Sequence, residues 1–151
     1  MNVAWMYLDK KAAAIKAIKD FYCMEQIIRN YESSIEEART RMTTHGSSVI
    51  TTKKPSGAES PAETRIAESI DDIDVIKDRY RHALEFLSWF RPAWDALSDN
   101  ERFILMSLFQ STSSRNAALY SICNKQFVTR ATAYRLKDAA LGRLALLLYG
   151  C

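Results

Sequence analysis

The sequence predicts an all-α protein, a long antiparallel helical hairpin of coiled-coil character followed by a C-terminal unit of shorter helices. Three observations predict it. Only four Gly and three Pro occur in 151 residues, and Val is scarce beside Ala, Leu, Ile, Lys, Arg and Glu, a composition that favours helix over sheet. Apolar residues recur in steps of three and four through two long stretches separated by a polar, Gly/Ser/Thr-rich one. Two Ser-x-x-Glu sequences mark helix starts of the capping-box kind.

The first helix is expected over about residues 5–42. Its apolar positions are Leu8, Ala12, Ile15, Ile18 and Tyr22, then Ile28, Tyr31, Ile35, Ala38 and Met42. The second set keeps a heptad seam, and no Gly or Pro interrupts the span. One helix of about 35 residues would be about 50 Å long, and a helix of that length needs a partner face. Residues 43–60, with Gly46, Pro55 and Gly57 among Ser, Thr and Lys, read as a flexible loop. Ser60-Pro61-Ala62-Glu63 then starts the second helix, expected over 61–91, with Ser60 as cap and Pro61 where its missing N–H costs nothing. Its seam is Ile66, Ile70, Ile73, Lys77, Tyr80, Leu84 and Leu87. Two stretches of similar length joined by a loop pack most economically as an antiparallel hairpin. Asp71, Asp72 and Asp74 lack the spaced ligands and Gly of a calcium loop. Pro92 should end or kink the helix near Arg91, and the rings of Trp89, Phe90 and Trp94 supply a packed junction between the hairpin and the C-terminal unit.

Residues 97–151 form the second predicted unit. Ser98-Asp99-Asn100-Glu101 caps a short helix whose inward residues are Phe103, Ile104, Met106, Leu108 and Phe109, ending near Gln110. After the break Ser111 to Ser114 comes a helix over Arg115 to Cys123, with Ala118, Leu119 and Ile122 inward. A turn at Asn124 to Phe127 leads to Thr129, a good N-cap for the last helix. On that helix Ala133, Leu136, Ala140, Leu144 and Leu147 share one face, and Ala131, Tyr134, Arg135 and Asp138 the opposite one. Beyond Gly142 it turns apolar all round, which is expected of a segment returning to the protein body or meeting a second copy.

Charge is distributed unevenly. The net charge is +3, but residues 111–151 carry Arg115, Lys125, Arg130, Arg135, Lys137 and Arg143 against Asp138 alone, a net +5, leaving −2 for residues 1–110. A basic end on a slightly acidic body fits a nucleic-acid-binding unit mounted on an assembly or regulatory unit. Cys23, Cys123 and Cys151 fit neither a disulfide framework nor zinc spacing. No Gly-rich phosphate loop, nucleophile elbow or His/Cys/carboxylate cluster appears, so neither an enzyme nor a cofactor is expected. Met1 to Leu8 lacks a basic n-region, and the run Leu144 to Tyr149 is far short of a bilayer span. The expectation is a soluble cytoplasmic protein without a membrane partner.

The segments Ser98-x-x-Glu101-Arg102-Phe103-Ile104-Leu105, Ile122-Cys123 and Val128-Thr129-Arg130-x-Thr132-x-Tyr134-Arg135 resemble the region-four helix-turn-helix of bacterial sigma factors. With the preceding hairpin and the ending Ala140-Leu141-Gly142-Arg143-Leu144-Ala145-Leu146, the chain resembles phage- and prophage-encoded transcriptional regulators of the ArpU/RinA-like group. That resemblance implies a regulator, often of late genes, that binds double-stranded DNA, with host RNA polymerase as a further partner as for sigma region four; the heptad seams of the hairpin offer a surface for a homo-oligomer. A helix-turn-helix lays its last helix in the major groove. Arg130 and Arg135 then suit guanine or phosphate, Thr129, Thr132 and Tyr134 phosphate oxygens, and Arg115, Lys125 and Lys137 the non-specific electrostatic share. The turn departs from the usual motif, with Gln126 and Phe127 where an apolar residue and Gly are general. Phe is poorly suited to positive φ, so the expectation is either a different turn geometry or Phe127 swung into the core. Other readings of the same residues are a small terminase-like packaging subunit and a helical protein-interaction adaptor without DNA binding.

Overall fold

A computed structural model describes residues 8–44 and 61–150, and these are all-helical: six α-helices and no strand. They are α1 (Lys10–Arg29), α2 (Tyr31–Thr44), α3 (Pro61–Asp95), α4 (Asp99–Phe109), α5 (Arg115–Gln126) and α6 (Arg130–Tyr149). By compactness the chain divides into one unit of residues up to Met24 with those from Phe86 onward, and another of Glu25–Glu85. The expected loop lies outside the described residues from 45 to 60, as does the Ser60 cap. Thr43 and Thr44 belong to α2.

The single helix expected over 5–42 is two helices. Asp9 closes the start of α1, its carboxylate accepting from the Ala12 N–H at 3.1 Å. A one-residue turn at Asn30 separates α1 from α2. Its cause is local. The Ser33 hydroxyl donates to the Asn30 carbonyl at 3.0 Å, alongside the Ser34 N–H, and such side-chain competition loosens a helix from within. In the Glu25–Glu85 unit, Tyr31 stacks on Tyr80 with ring centroids 4.0 Å apart, and Arg41 meets Asp72 at 3.6 Å. Ascending residues of α2 thus meet descending residues of α3. Ile35 and Ala38, both on the expected seam, are buried there.

In the other unit the buried face of α1 is Ala14, Ala17, Ile18 and Phe21. Of the five apolar positions at helical spacing here, only Ile18 is buried, and Leu8 and Tyr22 are exposed. A run of Ala supports more than one helical stripe, and the choice falls to the partner. That partner is aromatic. Phe21 lies 4.9 Å from the Phe90 ring and 5.8 Å from Trp94, and Phe90 and Trp94 stack at 5.6 Å. Trp89 meets Tyr149 of α6 at 5.6 Å, so the expected junction of rings joins the ends of α3 and α6.

Pro92 does not end α3, which runs through it to Asp95. Pro92 lacks only the donor of its own turn, and the buried Phe90, Ala93 and Trp94 on either side hold the last turn in place. The Pro92 carbonyl still accepts from Ala96 at 3.2 Å.

Helices α4, α5 and α6 each pack on the other two. Ser98 caps α4 reciprocally: its hydroxyl accepts from the Glu101 N–H at 3.2 Å, and Glu101 accepts from the Ser98 N–H at 2.8 Å. On α4, Ile104 and Leu105 point inward, whereas Met106, expected inside, is exposed. The core between the three helices is Ile104, Leu119, Ile122 and Ala133, edged by Phe103, Leu108, Cys123 and Val128. The inward face of α6 is Ala133, Ala140, Leu141, Leu144, Ala145 and Leu148. Leu136 and Leu147 are exposed. The stripe drifts because α6 faces α4 and α5 at its start and further apolar neighbours toward its end, and a straight helix does not hold one heptad seam over five turns.

Candidate nucleic-acid interface

The turn between α5 and α6 sets up the surface. Helix α5 outlasts its expected end at Cys123 and runs to Gln126. It is closed by Phe127 in the left-handed region, at φ 53 and ψ 43. The N–H groups of Phe127 and Val128 both reach the Cys123 carbonyl, the latter at 3.1 Å. Val128 then packs on the core, and Thr129 caps α6 with its hydroxyl accepting from the Thr132 N–H at 3.3 Å. Neither expectation for Phe127 holds: it does adopt positive φ, and its side chain is 94% exposed. Val128 takes the core position instead. Left-handed geometry costs a residue with a Cβ about 1–2 kcal/mol. Here the paired N–H bonds, the partly buried Val128 and the Thr129 cap together impose it.

The first turns of α5 and α6 meet. Arg130 donates from its guanidinium to the Asn116 side-chain oxygen at 2.6 Å, and Asn116, Leu119, Tyr120, Cys123 and Arg130 line a cleft of about 250 Å³. Arg115, the first residue of α5, is exposed beside it. Thr129 and Thr132 lie at the other side of the α6 start, their hydroxyl oxygens 3.0 Å apart. One turn on, Arg135 is exposed on the outward face with Ala131 and Asp138. Tyr134 and Lys137 form a separate pair, with the ammonium 5.5 Å from the ring centroid.

The basic residues of this end are not equivalent. Arg143 pairs with Glu101 at 3.1 Å and donates to the Ala96 carbonyl at 3.3 Å, so its charge ties α6 to the start of α4. Lys137 pairs with Asp138 at 3.0 Å, and its side chain is only 17% exposed. Lys125 lies over the Phe103 ring at 3.7 Å, which anchors it toward α4. Arg115, Lys125, Arg130 and Arg135 are all exposed and without an acidic partner among the described residues. Between Ser111 and Lys137 the chain has five cations and no acid. Exposed cations on a segment without acid, bounded by Asp138, with hydroxyls and amides among them, offer what a phosphate backbone and base edges accept.

Partial burial opposes ionisation of Glu101, but the hydrogen bonds from Ser98 and the Arg143 guanidinium outweigh it and hold the carboxyl below its ordinary value. Burial alone pushes the Tyr149 hydroxyl up. Both groups lie away from the α5–α6 cleft and serve the scaffold.

Asn116, Tyr120 and Phe127 are functional candidates that the sequence did not single out. Asn116 and Tyr120 stand one turn apart and off the Ala118, Leu119, Ile122 face, so helical spacing alone places them on the open side of α5. Among the described residues no group of three His, Cys, Asp or Glu side chains could hold a metal, and no helix is long and apolar enough to cross a membrane. Comparison with protein-family models, with curated proteins and with solved structures gives no match, so function is inferred from the chain's own residues.

Proposed function

We propose that the protein is a sequence-specific DNA-binding transcriptional regulator of phage type, with α5, the Phe127 turn and α6 acting as a helix-turn-helix. The observation that carries this reading is the start of α6, where Arg130 and Arg135 stand exposed in a segment without acid from Ser111 to Lys137. Arg135, on the outward face, is the residue for base edges. Arg130 is oriented by Asn116 and serves phosphate or a guanine at the start of the helix. Arg115 and Lys125 add electrostatic attraction, and the Thr129 hydroxyl, already spent on its cap, acts chiefly by fixing the helix start. The likeness of residues 98–105 and 128–135 to sigma region four supports a role in transcription, with late genes and host RNA polymerase as the setting.

Selection of bound duplexes from a random pool tests the reading. A recovered consensus is expected, and Arg130→Ala with Arg135→Ala is expected to abolish preference for it while leaving the helical fold intact. Retained preference removes α6 from the role of reader. Light scattering separates regulation from packaging, because a packaging subunit forms a closed ring of many copies whereas a regulator is a monomer or dimer.

A further inference from the structure

Phe127 is the most exposed large apolar side chain among the described residues, 94% open to solvent, and it sits in the left-handed region. Its ring contributes nothing to the core, whose place in the turn Val128 takes. Its backbone would be better served by Gly or Asn, which adopt that geometry at little cost. Neither packing nor turn geometry therefore accounts for an aromatic residue here. Tyr120, within α5, is also exposed, at 71%. Lys125 and Arg130 flank Phe127 in sequence, and no acid lies between Ser111 and Lys137. An exposed apolar ring in a segment of cations and hydroxyls matches a ligand that is anionic outside and flat and aromatic within.

We infer that Phe127 is a nucleic-acid-contacting residue whose ring stacks on a base, or wedges at a base step, beside the groove entered by α6. This rests on the DNA-binding reading above and adds to it a contact that is apolar rather than electrostatic. The two kinds of contact separate by salt. A lost phosphate contact flattens the dependence of affinity on salt by about one unit of slope per charge, whereas a lost stack lowers affinity and leaves the slope alone.

The test uses the full chain and a labelled random-sequence duplex, with fluorescence anisotropy read across a salt series and thermal unfolding read alongside. Phe127→Gly is expected to weaken binding about tenfold, the order of one base–aromatic stack, with an unchanged salt slope and a midpoint of unfolding equal to or above the parent's. Phe127→Trp, which keeps a ring, is expected to retain affinity and to show quenched indole emission on the duplex. If Phe127→Gly binds as tightly as the parent, the contact does not exist, while DNA binding itself stands. If Gly and Trp weaken binding equally, the turn's shape and not the ring is responsible, and the inference fails. If the parent chain binds no duplex even at low salt, the DNA-binding reading fails and takes this one with it.

Discussion

At Glu101 two donors converge on one carboxylate: the Ser98 N–H and the Arg143 guanidinium. The carboxyl is partly buried, which by itself would favour protonation, yet these partners hold its pKa below the ordinary 4.5. A carboxylate depressed in the folded state stabilises fully above its unfolded pKa, and the contribution drains away as pH falls through the folded value. Glu101→Gln is therefore expected to lower the unfolding midpoint at neutral pH, with the gap from the parent closing as pH falls below the ordinary carboxylate range. Equal gaps at neutral and acid pH would show that the charge of Glu101 is irrelevant to α4. Ser98→Ala removes the other half of the box and is expected to cost about 1 kcal/mol by denaturant titration. Single residues also show what sequence could not tell. Phe127 carries no local sign of left-handed geometry, since its backbone is set by Val128, Thr129 and the Cys123 carbonyl acting together.

Among the elements, those with local punctuation were legible. The capping box at Ser98, the cap at Thr129 and the inward trio Ala118, Leu119 and Ile122 of α5 all read correctly from spacing and chemistry. The faces of α1 and α6 were less so. Both are rich in Ala and Leu, so several stripes are apolar enough, and which one is buried depends on aromatic partners far off in sequence, such as Phe90 and Trp94 for Phe21. Pro92 does not end its helix for the converse reason: its local rule is strong, but the packed rings beside it outweigh a single missing hydrogen bond. Where α6 meets α4 and α5, the fully buried Ala133 sets the approach, lying with Ile104, Leu119 and Ile122. Ala133→Leu is expected to overfill that core and cost about 1–3 kcal/mol, seen as a lowered denaturant midpoint. An unchanged midpoint would mean that α6 stands off from its neighbours more than these contacts imply.

Over the whole molecule the charge asymmetry found in the sequence persists, but the structure reduces the cations open to a polyanion. Arg143 belongs to the Glu101 cap, and Lys137 is shared with Asp138 and Tyr134. The candidate site could be read as a set of residues from sequence, whereas its division into scaffold and open charge could not, because ion pairs such as Arg143 with Glu101 link residues 42 positions apart. Arg115, Lys125, Arg130 and Arg135 are left to meet phosphate. Each phosphate neutralised adds about −0.9 to the slope of log affinity against log salt. The most direct test of DNA binding by this surface is that slope, measured by anisotropy on duplex DNA for the parent chain. Four contacts predict a value of roughly −3 to −4, reduced by about two units in the Arg130→Ala, Arg135→Ala chain. A slope near zero, or no binding at the lowest salt, would contradict it.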